Sequence, residues 1–109
     1  MNKKLSLVIP AHNEEGCIEN TVRTLHNHLK KEEIPHEILV INDHSLDKTE
    51  YILRRLQHEI PEVRYLNNDY SKGYGSTLSF GLKNFTGDYV ATVMGDSAIR
   101  LNRKMGGTI

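Results

Sequence analysis

Apolar positions recur along this chain with two alternating periods. Leu5-Ser-Leu-Val-Ile9 is a short β-branched run closed by Pro10, which predicts a strand with a stop built in. Ile18, Val22, Leu25 and Leu29 then return at three- and four-residue spacing and predict an amphipathic helix over roughly 14–31. Ile38-Leu-Val-Ile41 predicts a second strand. Asp47-Lys-Thr-Glu50 has the form of a capping box, and Ile52, Leu56 and Ile60 supply the buried stripe of the helix it opens, with Pro61 ending it. Val63-Arg-Tyr-Leu66 reads as a third strand. Gly73 and Gly75 mark a loop, and Leu78, Leu82 and Phe85 a third helix that stops at Gly87. Tyr89–Met94 reads as a fourth strand.

Strand and helix therefore alternate, and the strands are continuously rather than alternately apolar. That combination predicts an α/β fold, a Rossmann-like parallel sheet with helices on both faces. Right-handed crossovers leave few topologies, of which the strand order 3-2-1-4 is the expected one.

Composition changes this picture little. At 109 residues the chain is one domain at most. Fourteen basic and fourteen acidic residues cancel, so no overall field draws in nucleic acid. The balance is uneven along the chain: residues 1–98 carry a net charge of −3, and 99–109 carry +3. A single cysteine, Cys17, excludes an internal disulfide and reads as a small buried hydrophobe before Ile18. His26, His28, His36 and His58 read as surface histidines. The apolar run after the basic start is too short for a secretion signal, and nothing later approaches a membrane span. The expected location is cytoplasmic.

The chemistry gathers at the strand ends, which read Pro10-Ala-His-Asn-Glu-Glu15, Asn42-Asp-His-Ser45, Asn67-Asn-Asp69 and Gly95-Asp-Ser97. Asn, Asp and Ser suit turns and helix caps for purely local reasons. Four such clusters at one edge of a parallel sheet, where ligands of these folds bind, point to a site. The first turn has no G-x-G-x-x-G and the chain no G-x-x-x-x-G-K-[ST], so bare backbone is not offered to a pyrophosphate. Glu14 and Glu15 at a helix start would repel phosphate unless a cation intervened. Carboxylates suit ribose hydroxyls, base N–H groups and a divalent cation shared with a diphosphate. His12 and His44 with Asp43 and Asp96 could be imagined as a transition-metal site, but no H-x-x-x-H pair supports one.

The segments LSLVIPAHNEEGCIENTV, HEILVINDHSLDKT, NNDYSKGYGSTLSFGL and TGDYVATVMGDS, in that order, resemble family 2 glycosyltransferases of the GT-A fold. The similarity is strongest to the branch acting on dolichyl or undecaprenyl phosphate, and it covers about residues 5–98. The resemblance implies roles residue by residue. Pro10, His12, Asn13 and Glu14 fall on the P-A-x-N-E segment that contacts the nucleotide. Asp43 falls on the second acid of D-D-x-S-x-D-x-T and would bond the base or ribose, while Asn42 replaces the first acid. Ser45, Asp47 and Thr49 match the remainder, with Asp47 also reading as a helix N-cap. Lys72 and Gly73 match a lysine-glycine pair near the nucleotide. Asp96 falls on the acidic segment that holds Mg²⁺ or Mn²⁺.

The implied reaction moves a sugar from a nucleotide diphosphate sugar to an acceptor such as a polyprenyl phosphate, at the inner face of a membrane in a full-length form. The family pattern continues with further acids, whereas this chain has Ser97, Ala98, Ile99 and Arg100. Residues 1–98 are accordingly expected to form the nucleotide-sugar-binding half of a GT-A domain, and 99–109 a divergent, irregular basic tail. The catalytic base is not identifiable, and the 109-residue chain is expected to be inactive alone. The fourth strand would be a bare apolar edge inviting self-association. The competing reading is a non-catalytic nucleotide-binding or interaction module.

Overall fold

The computed structural model describes residues 3–68 and 73–93, together with the backbone of 99–103. Five strands form one sheet: β1 (Leu5–Ala11), β2 (His36–Asn42), β3 (Val63–Asn67), β4 (Tyr89–Val93) and β5 (Ile99–Arg103). Three helices connect them: α1 (Ile18–Lys31), α2 (Thr49–Glu59) and α3 (Tyr74–Asn84). The order is β3-β2-β1-β4-β5. The first four strands are parallel and follow the expected 3-2-1-4 order; β5 runs antiparallel to β4.

β5 corrects two expectations. Residues 99–103 are not irregular, and β4 is not an edge, because β5 pairs with it from Tyr89↔Arg103 to Val93↔Ile99. Alternation of Ile99 and Leu101 with polar residues is the period-two signal of a strand, short enough to be lost among the charges. The outer backbone groups of β4 gain a partner this way.

The two faces of the sheet are covered unequally. Leu7, Ile9 and Ala11 of β1, with Ile38 and Val40 of β2, pack against Ile18, Val22 and Leu29 of α1 and Leu53 and Leu56 of α2. Val8, Leu39, Ile41 and Val90 point the other way, towards Leu78 and Phe80 of α3. α3 approaches closely at Gly81, where a methyl group would lie 2.4 Å from Val8 Cγ1 and 3.1 Å from Ile41 Cγ1.

Two histidines expected on the surface are buried. Position 26 continues the inward stripe 18, 22, 26, 29 of α1, so His26 turns into the fold. His36 Nδ1 donates to the Ile34 carbonyl at 2.7 Å, leaving Nε2 to accept from His26 Nδ1 at 2.9 Å. Burial lowers the His26 pKa, opposed by the Glu62 carboxylate at 3.9 Å. At the amino ends of the strands Glu37 is buried as well. Burial pushes its pKa up, but the Ser6 hydroxyl (2.6 Å), the Thr86 N–H (2.7 Å) and Arg64 outweigh this and hold it below the ordinary range.

Two outcomes are expected. Gly81→Ala should destabilise by about 1–2 kcal/mol, overpacking against Val8 exceeding the gain in helix propensity, and a thermal melt unchanged or raised would contradict it. The pH dependence follows from both lowered pKa values. The His26 contribution is complete above the unfolded value of about 6.5 and is lost as pH falls through the lower folded value; Glu37 behaves likewise in the carboxylate range. Urea titrations at about pH 7.5 and 5.5 should show lower stability at the acid pH. His26→Gln, whose amide can still donate to His36, should shrink that difference; an equal loss in both proteins would refute the assignment.

Candidate functional site

The site begins with a proline inside the central strand. The Ala11 carbonyl accepts the Asp43 N–H at 2.7 Å, so Ala11 faces β2 and, by alternation, Pro10 faces β4. Pro10 has no N–H to give. Pairing with β2 runs to Ala11↔Asn42, whereas pairing with β4 stops at Val8↔Thr92. The expected stop at Pro10 is therefore one-sided: the strand continues, and only its β4 ladder ends. The β1–β4 ladder thus ends where the strand order reverses, which is where the ligand crevice of such sheets lies.

Beside this crevice the loops after β1 and β2 clasp each other. Each places its second residue in the left-handed region, Asn13 at φ 50° and His44 at φ 53°. Such backbone persists in non-glycine residues when surrounding contacts over-determine it. The Asn13 N–H donates to Ser45 Oγ at 3.0 Å, and the Leu46 N–H donates to Asn13 Oδ1 at 2.7 Å. The Glu14 N–H reaches Thr49 Oγ1 at 2.7 Å, and the Glu15 N–H reaches Asp47 Oδ2 at 3.2 Å. Asp47 Oδ1 accepts both the N–H (2.9 Å) and the hydroxyl (2.6 Å) of Thr49. Lost hydration raises the Asp47 pKa, but these bonds outweigh it and the net shift is downward. The N-cap position of α2 is Lys48, not Asp47 as expected; Asp47, one residue earlier, still accepts the Thr49 N–H, and Glu50 does not complete the box, since its carboxylate accepts from Tyr65 and Asn67 instead.

His12 and Asp43 meet across the strands. A carbonyl can only accept, so His12 Nδ1 carries the proton donated to the Asp43 carbonyl at 2.6 Å, and Nε2 faces Asn13 Nδ2 at 3.2 Å. Asp43 is buried; Oδ2 accepts the N–H of Gly73 at the start of α3 (3.2 Å), while Oδ1 has no hydrogen-bond partner and lies 3.9 Å from His44 Nε2. Asn42 donates to Asn67 Oδ1 at 2.8 Å and leaves its own Oδ1 unpartnered too. Buried orphan oxygens are costly and uncommon. Here two fall in adjacent residues at one edge of the sheet.

Of the expected site residues, Pro10, His12, Asn13, Glu14, Asp43, Ser45 and Gly73 therefore lie on one edge of the sheet, at or beside the crevice. Lys72 and Asp96 lie outside the described residues. Asn68, which is buried, was missed as a site element: it bridges the strand ends to α3 through Ser76 and Thr77. Its only signal was its place in the polar strand-end cluster Asn67-Asn-Asp69. Cys17, expected inside, is exposed on the rim before α1; burial and the Glu14 carboxylate raise its thiol pKa, which leaves it a poor nucleophile. Among the described residues no three His, Cys, Asp or Glu side chains converge as metal ligands. The described residues do not make a cation cage by themselves.

The model of glycosyl transferase family 2 matches residues 6–102. The chain belongs to that family. The match runs past residue 98 into β5. Among curated relatives, the chain is 31% identical over 103 residues to a dolichyl-phosphate beta-glucosyltransferase of Trichomonas vaginalis, covering 90% of this chain and 32% of the relative. It is 28% identical over 97 residues to a GalNAc(5)-diNAcBac-PP-undecaprenol beta-1,3-glucosyltransferase of Campylobacter jejuni, covering 88% and 30%. A mannosyltransferase of Pyrobaculum calidifontis, solved with GDP-Man and Mn²⁺, superposes with a TM-score of 0.70 at 21% identity over 84% of this chain and 27% of that one. At that identity the family 2 likeness to a solved structure is one of fold. The chain spans about a third of the length of the curated relatives it matches.

Asp43→Asn should leave this family 2 domain as stable or up to about 1 kcal/mol more stable, since it removes a buried charge with an orphan oxygen and keeps an acceptor for Gly73. A thermal melt lowered by several degrees would show that the charge serves the fold.

Proposed function

We propose that this chain is the donor-nucleotide half of a hexosyltransferase that moves a sugar from a nucleotide diphosphate sugar to a polyprenyl phosphate. The observation carrying the reading is Asp43, a buried carboxylate at the carboxyl edge of a family 2 sheet with one oxygen that accepts no hydrogen bond. Its free oxygen would accept from the base or ribose of the donor. His12 and Glu14 border that position; Lys72 and Asp96 complete the set by sequence. Solved neighbours carry UDP-glucose or GDP-Man with Mn²⁺, and relatives are named for dolichyl-phosphate and undecaprenol-linked reactions. Bound beside Asp96, Mg²⁺ or Mn²⁺ would offset the charge of the leaving diphosphate.

Neither the sequence nor the described residues identify a group for activating the acceptor, and no helix among the described residues is long and apolar enough to cross a membrane. The reading places the protein at the cytoplasmic face of a membrane, where a lipid-linked phosphate is met.

Calorimetric titration with UDP and with GDP, each with Mn²⁺, tests it. One of the two should bind, and Asp43→Ala should weaken that binding about 10- to 100-fold, the loss expected for a hydrogen bond to a charged group. A folded chain that binds neither nucleotide would leave the interaction-module reading in its place.

A further inference from the structure

Asn13, Glu14 and Glu15 present three consecutive backbone N–H groups at the entry to α1. In many α/β folds such a turn is where a phosphate rests, because the N–H groups there have no helical partner. Here each is already taken by a side-chain oxygen from the next loop: Asn13 by Ser45, Glu14 by Thr49 and Glu15 by Asp47. The three acceptors are spaced two residues apart. Thr49 is wholly buried, and its hydroxyl both accepts from Glu14 and donates to Asp47, so one carboxylate anchors the set. A helix cap explains the Asp47–Thr49 N–H bond alone. The other bonds cross between loops that are more than thirty residues apart in sequence.

We propose that Ser45, Asp47 and Thr49 are positioning residues that fill the amide turn at the start of α1 from within the protein. This rests on the donor-site reading and refines it: Ser45, expected to contact the nucleotide, instead holds the backbone that presents His12 and Glu14. The diphosphate is thereby excluded from the turn and directed towards the β4 side of the crevice, where Asp96 follows in sequence. The occupied N–H groups cannot serve an anion without breaking the clasp. Asp47 supplies the negative charge that a phosphate supplies elsewhere.

The test combines amide hydrogen exchange, followed by NMR on the full chain, with titration of UDP and GDP in the presence of Mn²⁺. Thr49→Val keeps the shape and removes the hydroxyl. It should speed exchange at the Glu14 amide and weaken nucleotide binding about tenfold, the range seen when an outer supporting contact is removed. Thr49→Ser should restore both. Asp47→Asn, a second variant should Thr49→Val fail to fold, should speed exchange at Glu15 with a similar loss of binding. Asp43→Ala should lose binding with the Glu14 and Glu15 amides still protected, which separates contact from positioning. Unchanged Glu14 protection in Thr49→Val overturns the proposal, as does faster exchange with undiminished binding. If the unaltered chain binds no nucleotide, the donor-site reading fails, and the clasp is decided by the exchange results alone.

Discussion

β1 is hydrogen-bonded on both sides as far as Val8 and on one side beyond it, because Pro10 has no N–H to offer β4. Most of the site follows from that missing donor. The ladder to β2 continues to Ala11, so the loops leaving β1 and β2 stay side by side and can interlock. The β4 ladder ends where the strand order reverses, and Asp43, directly after β2 on the same edge, keeps one oxygen that accepts no hydrogen bond.

The two ends of the sheet differ in how their buried acids are hydrogen-bonded. At the amino ends, Glu37 is buried yet saturated by Ser6, Thr86 and Arg64, and the Ser6 hydroxyl takes the Gly87 N–H in turn. That carboxylate belongs to the fold. At the carboxyl ends, Asn42 and Asp43 each keep an oxygen that accepts no hydrogen bond. Similar burial with unequal hydrogen bonding sets the two acids apart.

Much of this was legible in the chain. Continuous apolar strands between helical stripes announced a parallel sheet, and four polar strand ends announced the edge that matters. The errors were equally physical. Helical spacing assigned Leu25 to the inner stripe but passed over His26, because a histidine carries no apolar signal even when another histidine satisfies it inside. A five-residue alternation at Ile99–Arg103 was hidden by its charges, so β5 went unseen. Cys17 was placed inside from its residue type, although its position before the first turn of α1 leaves it on the rim.

The sequence by itself determined the fold class, the strand order and the set of polar residues available at the sheet's edge. Hydrophobic period and crossover handedness are local or nearly local properties. Only the tertiary structure decided the division of labour within that set. Whether Ser45, Asp47 and Thr49 face a ligand or a backbone depends on a loop more than thirty residues earlier in the chain. Whether the Asp43 carboxylate is satisfied depends on where α3 begins, and a hydrogen bond is assigned only when both partners have a place.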